Sequence, residues 1–181
     1  SIWFEVQLFT PEFNSYGASL PGAPGVISGF NENIAWGVTN VGHDVRDWYA
    51  IQWKDNSKRF YWFDSTFIKS NFVVEQIKVR DAETVIDTII MTHIGPIAHS
   101  SNGQDFALRW TLHDPSEEPL TFLKLMKAKN YADYKDAIRH FSCPAQNIVF
   151  ASKNGDIALW TQGKLPLRKK MQGKFVQQGN S

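Results

Sequence analysis

From Trp48 onward the apolar and aromatic residues come in short runs, Trp48 to Trp53, Phe60 to Phe63, Phe72 to Val79 and Val85 to Thr92, each closed by polar or turn-forming residues. Runs of this length, spaced like hairpins, are too short for stable helices and predict strands. The pattern starts earlier. Ser1 to Thr10 alternates like a strand that has already begun, with no cap or turn ahead of it, so the chain is expected to be cut from a longer one. Pro11 to Gly29, with Pro21-Gly22 and Pro24-Gly25, is expected to be a tight loop feeding a strand. Asn31-Glu32-Asn33 is a turn, and Ile34 to Val41 a further β-prone run. After Pro115 the character changes. Ser116, Glu117 and Glu118 can open a helix before Leu120 to Lys127. Asn130 can cap a second helix over Tyr131 to Phe141, whose Tyr131, Tyr134, Ile138 and Phe141 share one face before Pro144. Sheet then returns, with Asn147 to Ser152 and Ile157 to Thr161 joined by Lys153-Asn154-Gly155-Asp156, a hairpin of the kind Asn-Gly favours. From Lys164 on, the basic and polar chain is expected to run along a surface. Strands, then helices, then strands, without βαβ alternation, predict an α+β fold, mostly antiparallel sheet.

Length and charge limit the function classes. A chain of 181 residues is read as a single partial domain over 1–181, and one of this size buries roughly 70% of its unfolded surface. With 19 Lys and Arg against 18 Asp and Glu, the net charge is +1. No global field favours nucleic acid or an anionic membrane. No run reaches the roughly 20 apolar residues of a membrane-spanning helix. The single cysteine, Cys143, excludes an internal disulfide and a multi-cysteine metal site. With no His-Asn pattern near it in sequence, it reads as buried packing. His43, His93, His99, His113 and His140 lack metal-ligand spacing and read as structural or exposed. There is no phosphate loop.

Three segments carry a resemblance over nearly the whole chain. They are Tyr16-Gly17-Ala18-Ser19-Leu20-Pro21-Gly22-Ala23-Pro24-Gly25-Val26-Ile27-Ser28-Gly29-Phe30-Asn31, then Ile34-Ala35-Trp36-Gly37-Val38-Thr39-Asn40, and then Pro144-Ala145-Gln146-Asn147 leading to Asn154-Gly155-Asp156-Ile157 and Leu165-Pro166-Leu167-Arg168. In their order and spacing they resemble the penicillin acylase (penicillin amidase) family of N-terminal-nucleophile hydrolases, as an internal piece of the β chain. The resemblance implies part of an αββα sandwich. It also implies a precursor that cuts itself to expose a serine whose own α-amino group activates its hydroxyl, the activation a weak nucleophile needs. Ser1 does not fit that role, because the family's nucleophile is typically followed by Asn and here Ile2 follows. The nucleophile is therefore expected outside this chain.

The resemblance also implies site residues. The main-chain N–H of Asn40 and the side-chain amide of Asn147 would stabilise the oxyanion of amide hydrolysis; an amide donates without titrating. Arg168 resembles the family arginine that helps to position Asn147 and the nucleophile's amino group. Asp44, Arg46 and Asp47 fall where family members bind calcium. Two carboxylates cannot hold it alone, so Ca²⁺ is expected only in the intact enzyme, with a ligand from the α chain. Ser28 and Val38 fall at acyl-pocket positions, and a small Ser28, where phenylacetyl-preferring members carry an aromatic, implies a different or roomier pocket. The implied substrate is a small acyl amide, such as a β-lactam side chain or an acyl-homoserine lactone. The implied partners are the rest of the β chain and the α chain of the same precursor, and the implied location is periplasmic or extracellular. Read without the family, Asn40 and Asn147 are strand-end and loop-edge residues, Arg168 is a surface cation and Asp44 to Asp47 a solvated loop. The chain as a whole then becomes an aromatic-rich β module that binds carbohydrate or peptide through exposed Trp48, Trp53 and Trp62.

Overall fold

The computed structural model describes residues 2–169 and 172–180, so the reading of Ser1 lies outside the described residues, as does Lys170. In chain order the strands are β1 (Phe4–Thr10), β2 (Phe13–Ser19), β3 (Ser28–Asn31), β4 (Ile34–Asn40), β5 (Arg46–Ile51), β6 (Phe60–Phe63) and β7 (Thr66–Lys69). They continue as β8 (Asn71–Ile77), β9 (Val85–Met91), β10 (Ile97–Ser101) and β11 (Gln104–Trp110). Two helices follow, α1 (Glu118–Lys127) and α2 (Tyr131–Ile138), and then β12 (Gln146–Ser152), β13 (Ile157–Gln162) and β14 (Gln177–Gln178). The fold is α+β and mostly antiparallel, as the sequence predicts. The contacts divide it into two compact units, residues 1–43 with 114–165, and residues 44–113 with 166–181.

The first unit is a six-stranded sheet in the order β1-β2-β3-β4-β12-β13. Strand alternation sends Ile34, Trp36, Ile148 and Phe150 to one face, where they form one core with Phe122, Leu125, Met126, Tyr134 and Ile138 of the helices. Burying each such side chain stabilises by roughly 1.5–3 kcal/mol. Among the described residues the other face carries no helix. The register there gives three rows across β4, β12 and β13: Ala35, Ala151, Ile157; then Gly37, Val149, Leu159; then Thr39, Asn147, Thr161.

Three expectations need correction here. Phe13–Ser19 is a strand rather than loop. Its Ser and Gly residues read as turn formers, yet it is paired on both sides, with β1 and β3. The second helix stops at Ile138, short of Phe141, and Phe141 keeps its burial through a turn in which its N–H donates to Ile138 O at 2.9 Å. The stretch after Lys164 includes β14, which pairs parallel with β5. The Asn130 cap is present, its side chain accepting from Asp133 N at 3.0 Å, and Cys143 is buried. The hairpin turn forms at Lys153-Asn154-Gly155-Asp156, with Gly155 at φ 95°, a left-handed value glycine adopts without strain.

The second unit holds a four-stranded sheet, β10-β11-β5-β14, and the hairpins β6-β7 and β8-β9. Its small core is Ile51, Tyr61 and Ala107, flanked by Tyr49, Trp53, Phe63 and Ile94. Buried Asp105 accepts from Trp53 Nε1 at 2.7 Å and pairs with Lys58 Nζ at 2.6 Å. Burial raises the Asp105 pKa, but these donors and Ser100 outweigh it and hold the carboxyl below its usual range.

Candidate functional site

The polar row at one end of the open face is the chemically distinctive feature of the first unit. Asn147 lies directly across from Thr39 on β4 and from Thr161 on β13. Its Oδ1 accepts from Thr161 Oγ1 at 2.7 Å, and among the described residues its Nδ2 has no hydrogen-bond partner. The carboxamide therefore presents an uncommitted donor at the border of two apolar rows. Asn40 is the next residue of β4, paired with Gln146. Its side chain falls on the helix-covered face, where its Oδ1 accepts from Gln146 Nε2 at 3.0 Å. Val41 N donates to Ala145 O at 3.4 Å, which makes 41–145 a hydrogen-bonded pair and the adjacent 40–146 pair a non-hydrogen-bonded one. The Asn40 N–H consequently points away from β12, toward the flank that β3 borders, as does that of Val38, which Ser28 Oγ accepts at 3.3 Å.

The two positions assigned to the acyl pocket separate. Ser28 lies on the open face by alternation, opposite Ala18. Val38 lies on the helix-covered face, partly buried against the main core. Two cavities of this unit, of about 510 Å³ beside Glu117 and His140 and about 320 Å³ beside Tyr16 and Phe30, contain none of Ser28, Val38, Asn40 and Asn147.

The remaining candidates meet in the second unit. Arg168 Nε donates to both carboxylate oxygens of Asp47, at 3.1 and 3.0 Å. Its Nη1 donates to Asp44 O at 2.9 Å, and Nη2 lies 3.5 Å from the Asp44 carboxylate. The bond to Asp47 pushes the Arg168 pKa further up, so the group is a permanent cation. Gly173 leaves room for it, since a Cβ there would stand 2.5 Å from Nε. Arg46 N donates to Asp44 Oδ1 at 3.3 Å, and its guanidinium lies 5.8 Å from the Trp110 ring centre. This donor set does not fit calcium. A Ca²⁺ ion takes six to eight oxygen ligands, whereas the two carboxylates here already face a guanidinium whose charge would repel it. Among the described residues no group of three or more His, Cys, Asp and Glu could hold a metal.

The histidine and tryptophan readings can be placed as well. His93 stacks on Tyr61 with Nδ1 3.0 Å from its hydroxyl, and burial lowers its pKa, the mark of a packed side chain. Trp48, Trp53 and Trp62 are half-buried rather than exposed, packed edge-on against His99, Tyr61 and Phe67 respectively. These three rings therefore do not form the exposed aromatic face that the binding-module reading placed on them. Thr161 is the residue that sequence reading missed. Counting outward from a two-residue Asn154-Gly155 turn would have paired Asn147 with Gln162. The loop instead has three residues, 153–155, closed by Ser152 N donating to Asp156 O at 2.9 Å, which sets Thr161 opposite Asn147.

A penicillin amidase family profile matches residues 1–181. The chain belongs to the penicillin amidase family. An acyl-homoserine lactone acylase, QuiP, of Pseudomonas aeruginosa is 28% identical over 99% of this chain and 23% of its own length. The QuiP of Pseudomonas syringae pv. tomato is 28% identical over 99% and 22%. This family member thus spans less than a quarter of those relatives. Among solved structures, a thermostable penicillin G acylase from Alcaligenes faecalis superposes with a TM-score of 0.88 at 25% identity, over 98% of this chain and 33% of that one. The relatives are acylases that act on small amides, and the penicillin amidase chain is accordingly part of an amide hydrolase family.

Proposed function

We propose that the chain supplies the oxyanion-stabilising part of an acyl amidase whose nucleophile is an N-terminal serine on the same precursor, outside these residues. The uncommitted amide donor of Asn147 beside an apolar face carries the reading. An acyl chain lies along the rows Gly37, Val149, Leu159 and Ala35, Ala151, Ile157, and its carbonyl reaches the polar row. The serine hydroxyl attacks that carbon while the serine's α-amino group takes the proton. The negative oxygen is met by Asn147 Nδ2 and the Asn40 N–H. Collapse breaks the C–N bond and releases the amine with the transferred proton. Water then attacks the acyl-enzyme ester, giving the acid and regenerating the serine.

The relatives' names favour N-acyl-homoserine lactones as substrates, with β-lactam side chains second, and small Ser28 suits acyl groups other than phenylacetyl. The remainder of the β chain and the α chain complete the site, in a periplasmic or extracellular enzyme. Neither nucleic acid nor membrane takes part. Arg168, in place of calcium, neutralises Asp44 and Asp47 in this reading.

Asn147→Ala in the matured enzyme should lower kcat by about 10²–10³-fold with little change in KM, the cost of one oxyanion donor. Activity within a few fold of wild type, with the variant folded, would remove the basis of this assignment.

A further inference from the structure

We propose that Thr161 is a positioning residue that orients the Asn147 carboxamide so that its N–H faces the reacting carbonyl. The inference rests on the oxyanion reading and adds a residue to it.

Asn147 and Thr161 are direct cross-strand partners on the hairpin β12-β13. Side chains so placed stand on the same face within hydrogen-bonding reach. The Thr161 hydroxyl donates to Asn147 Oδ1 at 2.7 Å, a distance normal for a strong O–H···O bond. That bond commits the amide's oxygen to a strand neighbour and leaves both hydrogens of Nδ2 directed elsewhere. A free carboxamide turns about its last side-chain bond through a broad torsional range. Without the threonine, only a fraction of Asn147 conformers would aim a donor at the developing charge, and the rest would aim Oδ1 at it and repel it.

Position 161 itself gives the geometry its stiffness. Threonine is β-branched, so its χ1 is restricted in a strand, and strand pairing on β12 fixes its backbone. On the other side of Asn147 stands Thr39, which widens the polar row without reaching Oδ1 among the described residues. The device is therefore a rigid hydroxyl that holds one end of a rotor.

The test uses the enzyme matured from its complete precursor. Thr161→Val keeps shape and strand propensity while deleting the hydroxyl. It should lower kcat roughly tenfold to a hundredfold with KM nearly unchanged, and Thr161→Ser should restore most of the loss. In an Asn147→Ala background, Thr161→Val should have no further effect, because a positioning group has nothing left to position. Wild-type kcat in Thr161→Val, beside a strongly impaired Asn147→Ala, would overturn the role of Thr161 and leave the oxyanion reading intact. An unimpaired Asn147→Ala would overturn both. A loss in Thr161→Val that persists in the Asn147→Ala background would assign Thr161 a different task and also overturn the proposal.

Discussion

Asp47 is nearly buried, and both of its carboxylate oxygens accept from Arg168 Nε, at 3.1 and 3.0 Å. Removing one partner of such a pair leaves the other desolvated and uncompensated, which costs more than the pair itself contributes. Arg168→Gln should therefore destabilise the protein by about 2 kcal/mol, seen as a lower denaturant midpoint. Neither calcium nor a chelator should move the thermal midpoint of the wild type. A midpoint that rises with calcium and falls with chelator would show that a metal, and not the guanidinium, holds the two aspartates. At this scale the sequence was legible where a motif names a residue. Pro144-Ala145-Gln146-Asn147 singles out Asn147, the residue on which the proposed function rests. The partner of Arg168 was not legible, because Asp47 lies 121 residues away and no local pattern records a contact that long-range folding creates. Val38 shows a different limit, since its position in the motif did not reveal the face its side chain takes.

The turn between β3 and β4 joins sheet to helix through one asparagine. Asn31 Nδ2 lies within hydrogen-bonding distance of Leu125 O, Met126 O and Ala128 O, at 3.3, 3.1 and 2.9 Å, where α1 ends. Its Oδ1 accepts from Asn33 N at 2.8 Å and Ile34 N at 2.9 Å. The carbonyls that end a helix have no partner within it, so one carboxamide both closes the turn and caps α1. Asn31→Asp keeps the acceptor and removes the donor. It should cost about 2–3 kcal/mol in urea unfolding, nearly as much as Asn31→Ala. An aspartate variant as stable as wild type would mean that the helix carbonyls find other partners at no cost. The sequence identified Asn31 as a turn former but not as a cap, because its helix lies more than ninety residues further along the chain. Element type was readable wherever periodicity and turn chemistry agreed, as in β12 and β13. It failed at β2, where Gly17 faces Gly29. A Cβ on Gly17 would stand 2.2 Å from Ser28 O, so a residue read as a turn signal is there to let two strands approach.

Each unit leaves apolar surface without cover. On the open face of the first, Ile157 and Leu159 are 84% and 64% exposed, in rows that continue through Val149 and Ala151. In the second, the hairpin β8-β9 is exposed along nearly its whole length, with Val74, Ile77, Val85 and Ile86 open to solvent. On β8-β9 the register puts Val74 and Ile86 on one face and Ile77 and Val85 on the other. Exposed apolar surface on this scale marks what something else covers, and the chain spans only 23% of the length of the P. aeruginosa relative. Produced alone, these 181 residues should bind a hydrophobic dye strongly and self-associate in sedimentation. Leu159→Thr with Ile157→Lys should weaken both effects while far-UV circular dichroism stays unchanged, because neither side chain belongs to the core that holds the sheet to α1 and α2. Coproduction with the rest of the precursor should suppress dye binding without any substitution. A monodisperse chain that leaves the dye dark would place these side chains against one another and not against a missing partner. The proposed acyl floor and the polar row share the open face of the first unit, so the double substitution at 157 and 159 tests the surface on which the catalytic reading depends.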